Sequence, residues 1–255
     1  MAEGDRPVKR GGRMAEDAAV EEVAVWLEVN GQAAVTWMCT PDQLEELATG
    51  WLAGEGYIGS VEELRLRPCA TDLGFWAEVP AGRFDSVRGE GRTAVLASGC
   101  GAVSTFLADP ASFGPVTPGP LPPPEEMRRL FKTMFQQGVR YRDTGGIHAA
   151  ALTDGLTLVA HAEDIGRHNA VDKVIGAGLL AGRPIAGLGL MVTGRISAEL
   201  ASKAARAGLA WVATPSVPST LALQIAGQAG MILVGRAVSA EPHVHTPGRP
   251  DQDPV

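Results

Sequence analysis

Beyond residue 124, helical and strand-type segments alternate with short connections, and this alternation limits the folds that the chain can adopt. The spacing of apolar residues predicts helices at 125–137, 170–180, 197–207 and 220–229, and strands at 147–152, 156–161, 187–192, 209–213 and 231–234. Strands that alternate with helices pair in one sheet whose faces the helices cover. Residues 125–246 are therefore predicted to form a three-layer α/β domain with a mostly parallel sheet.

A smaller α+β region is predicted at residues 20–114. Strand-type runs at 23–29 and 32–39 flank Asn30-Gly31, the strongest short signal for a β-hairpin. The next residues, TPDQ at 40–43, have the composition of an N-cap, a first-turn proline and a capping-box glutamine, so a helix is expected to begin there. Further strands are expected at 64–67, 73–79 and 92–97.

Proline content and charge define the remaining boundaries. Successive prolines at 115–124 favour a stiff, extended linker between the two regions. Residues 1–19 and 247–255 are polar and poor in apolar residues, so we expect a disordered arm and a disordered tail.

Composition excludes several classes of protein. A formal net charge of −7 argues against a broad nucleic-acid surface, and no apolar run reaches the roughly 18 residues of a membrane span. The basic N-terminal residues precede no apolar core, so no signal peptide is expected, and we predict a cytoplasmic protein. Cys39, Cys69 and Cys100 have neither metal-ligand spacing nor an even disulfide framework, which suits a reducing compartment.

Residues 163–173, EDIGRHNAVDK, concentrate seven polar or charged side chains between a predicted strand and a predicted helix. Ligands bind at such turns because free N–H groups and the helix dipole point there. His148, Asp164, Arg167 and His168 are therefore candidates for binding an anion or a nucleotide. Two alternatives stay open: a zinc site, for which the spacing is poor, and a purely structural role for Asp164 and Arg167 in holding the turn.

The residues TGRIS at 193–197 also follow a predicted strand and open a predicted helix. A glycine turn, an arginine and a hydroxyl at a helix start suit a phosphate, so Arg195 joins the candidates. An ordinary capped helix start fits the same residues.

Cys100 is the candidate nucleophile. Gly99 and Gly101 flank it, and glycines leave a thiol uncovered and its loop adaptable. The alternative is that this cysteine is a small buried apolar residue, and that is the role expected for Cys39 and Cys69.

These segments together resemble the formate dehydrogenase accessory sulfurtransferase family, FdhD. The resemblance spans about residues 21–246 and rests on TGGIHAAA at 144–151, EDIGRHNAVDK at 163–173, TGRISAE at 193–199, and MCTP at 38–41 followed by EELA at 45–48 and Glu55-Gly56. It implies a cytidine-deaminase-like fold for the larger domain and a homodimer. It also implies a cytoplasmic carrier that accepts sulfane sulfur from a cysteine desulfurase. The sulfur would pass to the molybdenum cofactor, in its bis-molybdopterin guanine dinucleotide form, before the formate dehydrogenase catalytic subunit receives it.

The family's persulfide-bearing cysteine corresponds to Cys100, and this chain is a single-cysteine variant. Many members read Cys-Gly-x-Cys-Gly, whereas Val103 stands here at the second cysteine. A carrier needs no resolving thiol, because an acceptor can attack the persulfide directly. The family's cofactor-contacting segment corresponds to six residues: Arg236, Ala237, Val238, Ser239, Ala240 and Glu241. No permanent metal is implied.

Two other functions remain open. The first is a cofactor-binding chaperone that transfers no sulfur. The second is a nucleoside hydrolase, suggested by the implied deaminase-like fold, although the His-x-Glu and Cys-x-x-Cys zinc signature is missing from the sequence.

Overall fold

The structure is a computed structural model that describes residues 19–88, 95–96, 103–104 and 113–247. The predicted arm at 1–19 and tail at 247–255 lie outside the described residues except for one residue each. The described strands form a four-stranded sheet, a six-stranded sheet and a two-stranded ribbon.

The four-stranded sheet has the order β2-β1-β4-β3, and its strands are β1 (Val23–Val29), β2 (Gln32–Cys39), β3 (Arg65–Pro68) and β4 (Gly74–Glu78). The predicted hairpin is confirmed with its predicted bounds. Asn30 and Gly31 have φ angles of 49° and 77°, the left-handed pair that a two-residue turn between antiparallel strands requires. β1 also pairs with β4 in parallel, so the sheet is mixed.

Helix α1 (Leu44–Glu55) begins later than the TPDQ motif predicts. Gln43 lies in the left-handed region at φ 48°, and no side chain of the described residues caps the helix. The expected capping box is therefore wrong, because its members bind the larger domain instead. The Thr40 backbone N–H donates to Asp164, and the Gln43 side chain donates to the carbonyl oxygen of His161.

The remaining elements of this region are a short 3₁₀ turn (Val61–Glu63), α2 (Ala81–Arg88), and the ribbon strands β5 (Val95–Leu96) and β6 (Val103–Ser104). The core of the region forms where alternate β1 residues, Val25, Leu27 and Val29, meet one face of α1. Cys100 lies between β5 and β6 in the sequence, outside the described residues.

The six-stranded sheet has the order β12-β11-β10-β9-β7-β8. Its strands are β7 (His148–Thr153), β8 (Leu158–Asp164), β9 (Gly189–Val192), β10 (Trp211–Ala213), β11 (Ile232–Gly235) and β12 (His243–His245). Only β9, β10 and β11 run parallel to one another; the other three pairings are antiparallel. The prediction of a mostly parallel sheet is wrong, because β7 and β8 form a hairpin and β12 folds back on β11.

Helices cover both faces of this sheet, as the three-layer prediction requires. They are α3 (Pro124–Gln137), α4 (Val139–Thr144), α5 (Arg167–Leu180), α6 (Ala198–Arg206) and α7 (Thr220–Ala229). Alternate strand residues divide between the two faces: Ala150 and Leu152 pack with α5, α6 and α7, whereas Ala149 and Ala151 pack with α3. Sequence periodicity predicted neither α2 nor α4, because both are short.

Two glycines allow α1 of the smaller region to lie directly on α5 of the larger domain. A Cβ atom on Gly50 would lie 1.8 Å from the Asp172 carbonyl oxygen, and one on Gly176 would lie 1.9 Å from that of Glu46. The two backbones therefore touch, and no larger residue fits at either position.

The proline-rich segment lies against the larger domain. The indole N–H of Trp211 donates to the Pro120 carbonyl oxygen at 2.9 Å, and the Val116 N–H donates to that of Ala229 at 2.8 Å. Gly119 is so close to Gly187 that a Cβ atom would lie 1.8 Å from its carbonyl oxygen. The segment therefore contacts the sheet domain at Val116, Gly119 and Pro120.

Within the described parts of the chain, no helix has both the length and the apolar character needed to cross a bilayer.

We expect Gly176→Ala to lower the free energy of unfolding by about 1–3 kcal/mol or more, because the methyl group would push α1 away from α5. Gly227→Ala is the matched control: Gly227 is exposed in α7 with open space around it, so alanine should be neutral or stabilise by up to about 1 kcal/mol. Urea denaturation of both variants measures the difference. Equal stabilities would contradict the close helix contact.

Candidate functional site

One edge of the six-stranded sheet collects the candidate residues. The parallel strands β9, β10 and β11 all end at this edge, and the antiparallel neighbour β7 begins there. In the β7–β8 ladder, His148 pairs with Asp164, so the start of one strand and the end of the other lie side by side. Arg167 and His168 follow at once in the first turn of α5, three residues earlier than the helix was predicted to begin.

The loops after the three parallel strands are connected to one another. The hydroxyl of Thr214 donates to the Gly194 carbonyl oxygen at 2.7 Å, and the Ala237 N–H donates to that of Thr214 at 2.9 Å. The Arg236 N–H donates to the Ser216 carbonyl oxygen at 2.7 Å. Residues 193–197, 214–219 and 236–241 therefore form one continuous rim, which carries Arg195 and Arg236.

Asp164 holds the turn that begins α5. Its buried carboxylate accepts from Thr40 N–H at 3.1 Å, Gly166 N–H at 2.8 Å and the Asn169 side-chain amide at 2.9 Å, and it lies 2.8 Å from Lys173 Nζ. These partners use the acceptor positions of both carboxylate oxygens. The geometry thus favours the structural alternative for Asp164 over direct contact with a ligand.

The carboxylate of Glu163, the neighbouring residue in β8, caps the start of helix α4. Its two carboxylate oxygens accept from the backbone N–H groups of Arg140 and Tyr141 at 2.9 and 3.0 Å. A carboxylate at a helix N-terminus satisfies donors that have no partner within the helix and interacts favourably with the helix dipole.

His168 is buried against the start of α6. Its Nε2 atom lies 3.1 Å from Ser197 Oγ and 3.5 Å from a carboxylate oxygen of Glu199. Burial, then the charges of Lys203 and Arg167, lowers the pKa of His168 to about 3. The ring is therefore neutral at pH 7 and acts through hydrogen bonds.

His148 and Arg167 converge on the glycine of the TGRIS motif. A Cβ atom on Gly194 would lie 3.0 Å from Arg167 Cδ and 3.6 Å from His148 Cε1. His148 Nδ1 lies 3.2 Å from the hydroxyl of Thr193. Burial, then the charge of Arg167, lowers the pKa of His148.

Ser197 caps α6 in the ordinary way, since its hydroxyl accepts from the Leu200 N–H. The capped helix start that the sequence left open is therefore present, and the same hydroxyl also contacts His168. Arg195, two residues earlier, is exposed on the rim.

A buried charge cluster that the sequence analysis missed lies beneath His168. Lys203 Nζ donates to both carboxylate oxygens of Asp172, at 2.6 and 2.9 Å, and lies 3.8 Å from Glu55. Burial by itself would lower the pKa of Lys203, but the surrounding carboxylates outweigh it and raise that pKa. The sequence signal for this cluster was the pair Glu199 and Lys203, which lie one helical turn apart on α6 and both face inward.

The segment 236–241 forms a tight turn at the rim. Arg236 has a φ angle of 49°, which is uncommon for a residue other than glycine, and the Ser239 N–H donates to its carbonyl oxygen at 2.9 Å. Ala237 is buried, whereas Arg236, Val238, Ala240 and Glu241 are exposed. Arg128 of α3 donates to the Ser239 carbonyl oxygen at 3.3 Å, a contact that the sequence did not suggest.

Among the residues that the structure describes, no three or more histidine, cysteine, aspartate or glutamate side chains are arranged to hold a metal ion. The predicted nucleophile, Cys100, is not among those residues.

The neutral state of His168 predicts a pH dependence of stability. Its folded pKa of about 3 lies below the usual value of 6.5, so between these values the unfolded chain binds a proton that the folded chain does not. His168 therefore lowers the stability as the pH falls from about 6.5 towards 3, by up to about 1.4 kcal/mol per pH unit.

Urea denaturation between pH 7.5 and 5 should show a weaker pH dependence for His168→Gln than for the unmodified chain. The difference between the two slopes is the quantity to measure, since His148 and Asp172 titrate in both proteins. His243→Gln, at an exposed position in β12, should leave the slope unchanged. Identical slopes for His168→Gln and the unmodified chain would contradict the buried neutral state.

The chain is similar to known proteins in both sequence and structure. The sequence profile of the FdhD/NarQ family matches residues 20–249. The sulfur carrier protein FdhD of Bacillus licheniformis is 35% identical over 234 residues, 91% of this chain and 89% of that protein. The Bacillus subtilis protein of the same name is 34% identical with the same coverage.

A crystal structure from Desulfotalea psychrophila, described as a formate dehydrogenase accessory protein, superposes with a TM-score of 0.71 at 25% identity. The superposition covers 89% of this chain and 88% of that one. A family match over nearly the whole chain, relatives above 30% identity and a shared architecture lead to one conclusion: this chain belongs to the FdhD/NarQ family.

Proposed function

We propose that this protein is a sulfur carrier in the maturation of formate dehydrogenase. In this proposal it takes sulfane sulfur from a cysteine desulfurase as a persulfide on Cys100. It then passes the sulfur to the molybdenum cofactor in its bis-molybdopterin guanine dinucleotide form. The names of its relatives support the carrier role. The main structural support is that His148, Arg167, His168, Arg195 and Arg236, from separate parts of the sequence, meet at one sheet edge.

The first sulfur transfer, from the donor to Cys100, needs no external oxidant or reductant. The Cys100 thiolate attacks the outer sulfur of the donor's persulfide, a new S–S bond forms at Cys100, and the donor leaves as a thiolate. In the second step an electron pair of the acceptor bonds to the terminal sulfur, so the acceptor is oxidised by two electrons as the sulfane sulfur is reduced to the sulfide level. The S–S bond then breaks and restores the Cys100 thiolate.

The sheet edge offers a suitable surface for an anionic, nucleotide-bearing substrate. Arg167, Arg195 and Arg236 can pair with phosphate oxygens in a bidentate manner. Helix α5 begins there without a side-chain cap among the described residues, and the positive end of its dipole lies at this edge. Neutral His148 and His168 add hydrogen-bonding groups without adding charge.

The partners of this carrier are part of the proposal: a cysteine desulfurase as donor, the formate dehydrogenase catalytic subunit as the final recipient, and a second copy of the chain in a homodimer. The carrier would work in the cytoplasm, where thiols stay reduced. Cys39 and Cys69 are both free thiols, which is consistent with that compartment.

The environments of the other two cysteines define the controls. Burial, then the nearby charge of Asp164, raises the pKa of Cys39 to about 12, so this thiol is protonated and enclosed. Cys69 is partly exposed after β3, and its hydrogen bond with Thr71 lowers its pKa. Cys69 is therefore the thiol most able to compete with Cys100 for sulfur.

We expect Cys100→Ala to abolish persulfide formation after incubation with desulfurase and cysteine, because no sulfur can be held without the thiol. Intact-protein mass spectrometry would detect the loss as a missing addition of about one sulfur atom. Cys69→Ala is the matched control and should keep the addition. Undiminished labelling of Cys100→Ala would reject the assignment.

We expect Arg236→Ala to weaken cofactor binding about tenfold or more, since a guanidinium-to-phosphate contact is charge-assisted. Alanine keeps the β-carbon at this left-handed position, so the backbone constraint is unchanged. Arg65→Ala, exposed on the edge strand β3, controls for a general loss of charge. Unchanged affinity in Arg236→Ala would remove this residue from the site.

A single-turnover assay separates carriage of sulfur from chaperoning of the cofactor. Persulfide-loaded protein should deliver its sulfur to bound cofactor. Tight cofactor binding without delivery would favour the chaperone function.

A further inference from the structure

The hydroxyl of Thr193 connects two motifs of the sheet edge. Thr193 opens the TGRIS motif directly after β9, and His148 belongs to the TGGIHAAA motif and begins β7. The two residues are 45 positions apart in the sequence, yet Thr193 Oγ1 lies 3.2 Å from His148 Nδ1. This contact involves one of the two ring nitrogens, so it can decide which of them carries the proton in a neutral ring.

A backbone N–H group occupies the acceptor side of that hydroxyl. The Ala149 N–H donates to Thr193 Oγ1 at 3.1 Å, and the Thr193 N–H donates to the Ala149 carbonyl oxygen at 3.1 Å. These bonds continue the ladder between β7 and β9 by one residue, so the sheet fixes the position of the hydroxyl oxygen. In the described part of the chain, His148 Nδ1 is the one acceptor within reach of the hydroxyl proton.

The two possible directions of the hydrogen bond between Thr193 and His148 satisfy different groups. If the hydroxyl donates to Nδ1, the hydroxyl proton and Nδ1 are both paired, and the ring proton lies on Nε2. If Nδ1–H donates, the hydroxyl oxygen accepts twice and its own proton has no acceptor among the described residues. Both residues are partly buried, where an unpaired polar group costs free energy, so the hydrogen-bond network favours the first direction.

The second ring nitrogen of His148 is open. Nε2 has no hydrogen-bond partner in the described part of the chain, and it is not fully enclosed there. The ring carbon beside it, Cε1, would lie 3.6 Å from a Cβ atom on Gly194, and Arg167 Cδ would lie 3.0 Å from the same atom. The open nitrogen is therefore close to the arginine that begins α5.

The ring is neutral under ordinary conditions. Burial, then the charge of Arg167, lowers the pKa of His148 from its usual value of 6.5, whereas the charge of Asp164 acts in the opposite direction. A neutral imidazole has one N–H donor and one acceptor nitrogen. The tautomer therefore decides whether the ring offers a ligand a donor or an acceptor.

We propose that Thr193 is a positioning residue of the sheet edge, which holds neutral His148 in the tautomer with its proton on Nε2. His148 then offers a hydrogen-bond donor beside the positive charge of Arg167. A ligand group at that point has to be an acceptor, such as a phosphate or carbonyl oxygen or a sulfur atom. The identity of the ligand, the carried cofactor, rests on the proposed function, whereas the tautomer does not depend on it.

Nitrogen NMR of the full-length protein, labelled with nitrogen-15 at histidine, tests the tautomer without a ligand. In a neutral ring the protonated nitrogen resonates far upfield of the unprotonated one, and the signals lost in His148→Gln identify this ring. Above pH 7 we expect the unmodified protein to have the proton of His148 on Nε2. Thr193→Val removes the hydroxyl with little change in volume and should shift both nitrogen signals towards a mixture of tautomers, since a free ring populates both.

Two variants separate positioning from a general effect on folding. Thr193→Ser keeps the hydroxyl and should restore the unmodified signals. Thr153 lies at the other end of β7, where its hydroxyl also accepts a backbone N–H, that of Gly155, and donates to a backbone carbonyl, that of Thr157. Thr153→Val should therefore leave the His148 signals unchanged. Urea denaturation of each variant establishes that it is folded.

A proton on Nδ1 in the unmodified protein would overturn the inference, and this result needs no variant. His148 signals in Thr193→Val identical to those of the unmodified protein would also overturn it.

Titration with the molybdenum cofactor tests the effect on the ligand. Thr193→Val should weaken binding about tenfold, since a hydrogen bond to a charged group is worth about that factor, and Thr193→Ser should bind as the unmodified protein does. Equal affinities of Thr193→Val and the unmodified protein would contradict the positioning role. Failure of the unmodified protein to bind the cofactor would contradict the proposed function instead and leave the tautomer result standing.

Discussion

The ammonium group of Lys173 is fully buried at the point where both regions of the protein meet. It lies 2.8 Å from Asp164, 2.7 Å from Asp42 and 3.1 Å from the Thr40 carbonyl oxygen. Removing a charge from water costs several kcal/mol unless such partners surround it, and here they come from the segment before α1 and from the end of β8. A shift of α1 away from α5 would take Asp42 and the Thr40 carbonyl oxygen away from this charge. The glycine contact also holds α1 against α5, because Gly50 and Gly176 permit only one close arrangement of the two helices.

This junction also sets the geometry of the sheet edge. Asp164 holds the turn, Glu163 caps the start of α4 and Asp172 binds Lys203, so none of the three acidic groups of the EDIGRHNAVDK motif is free to repel an anion. The histidines beside them stay neutral because burial lowers their pKa values, while Arg195 and Arg236 face solvent. The acidic groups of the motif are thus paired beneath the surface, whereas two arginines are exposed at the rim. That separation makes an anionic ligand the natural partner of this edge.

Several features could be predicted from local sequence. Asn30-Gly31 specified its hairpin because its two left-handed φ angles suit few other residue pairs, and the alternation of segments predicted three layers. The failures share one physical origin. The TPDQ motif has the residues of a capping box, yet Thr40 and Gln43 bind Asp164 and the His161 carbonyl across the junction, where partners distant in sequence outweigh a local cap. The prediction of a mostly parallel sheet also failed, because the periodicity of a sequence carries no information on whether neighbouring strands run parallel.

The sequence by itself determined the family, the order of the segments and most of the residues that meet at the sheet edge, since local periodicity and short motifs carry that information. Tertiary structure alone decided which of those residues are available to a ligand. It buried Asp164 among four partners, placed the Ser197 hydroxyl against His168 and brought Arg128, Lys132 and Arg142 around one hollow beside Val238. Burial and charge pairing depend on side chains that are far apart along the chain. Their effect on any one residue therefore exists only once the chain has folded.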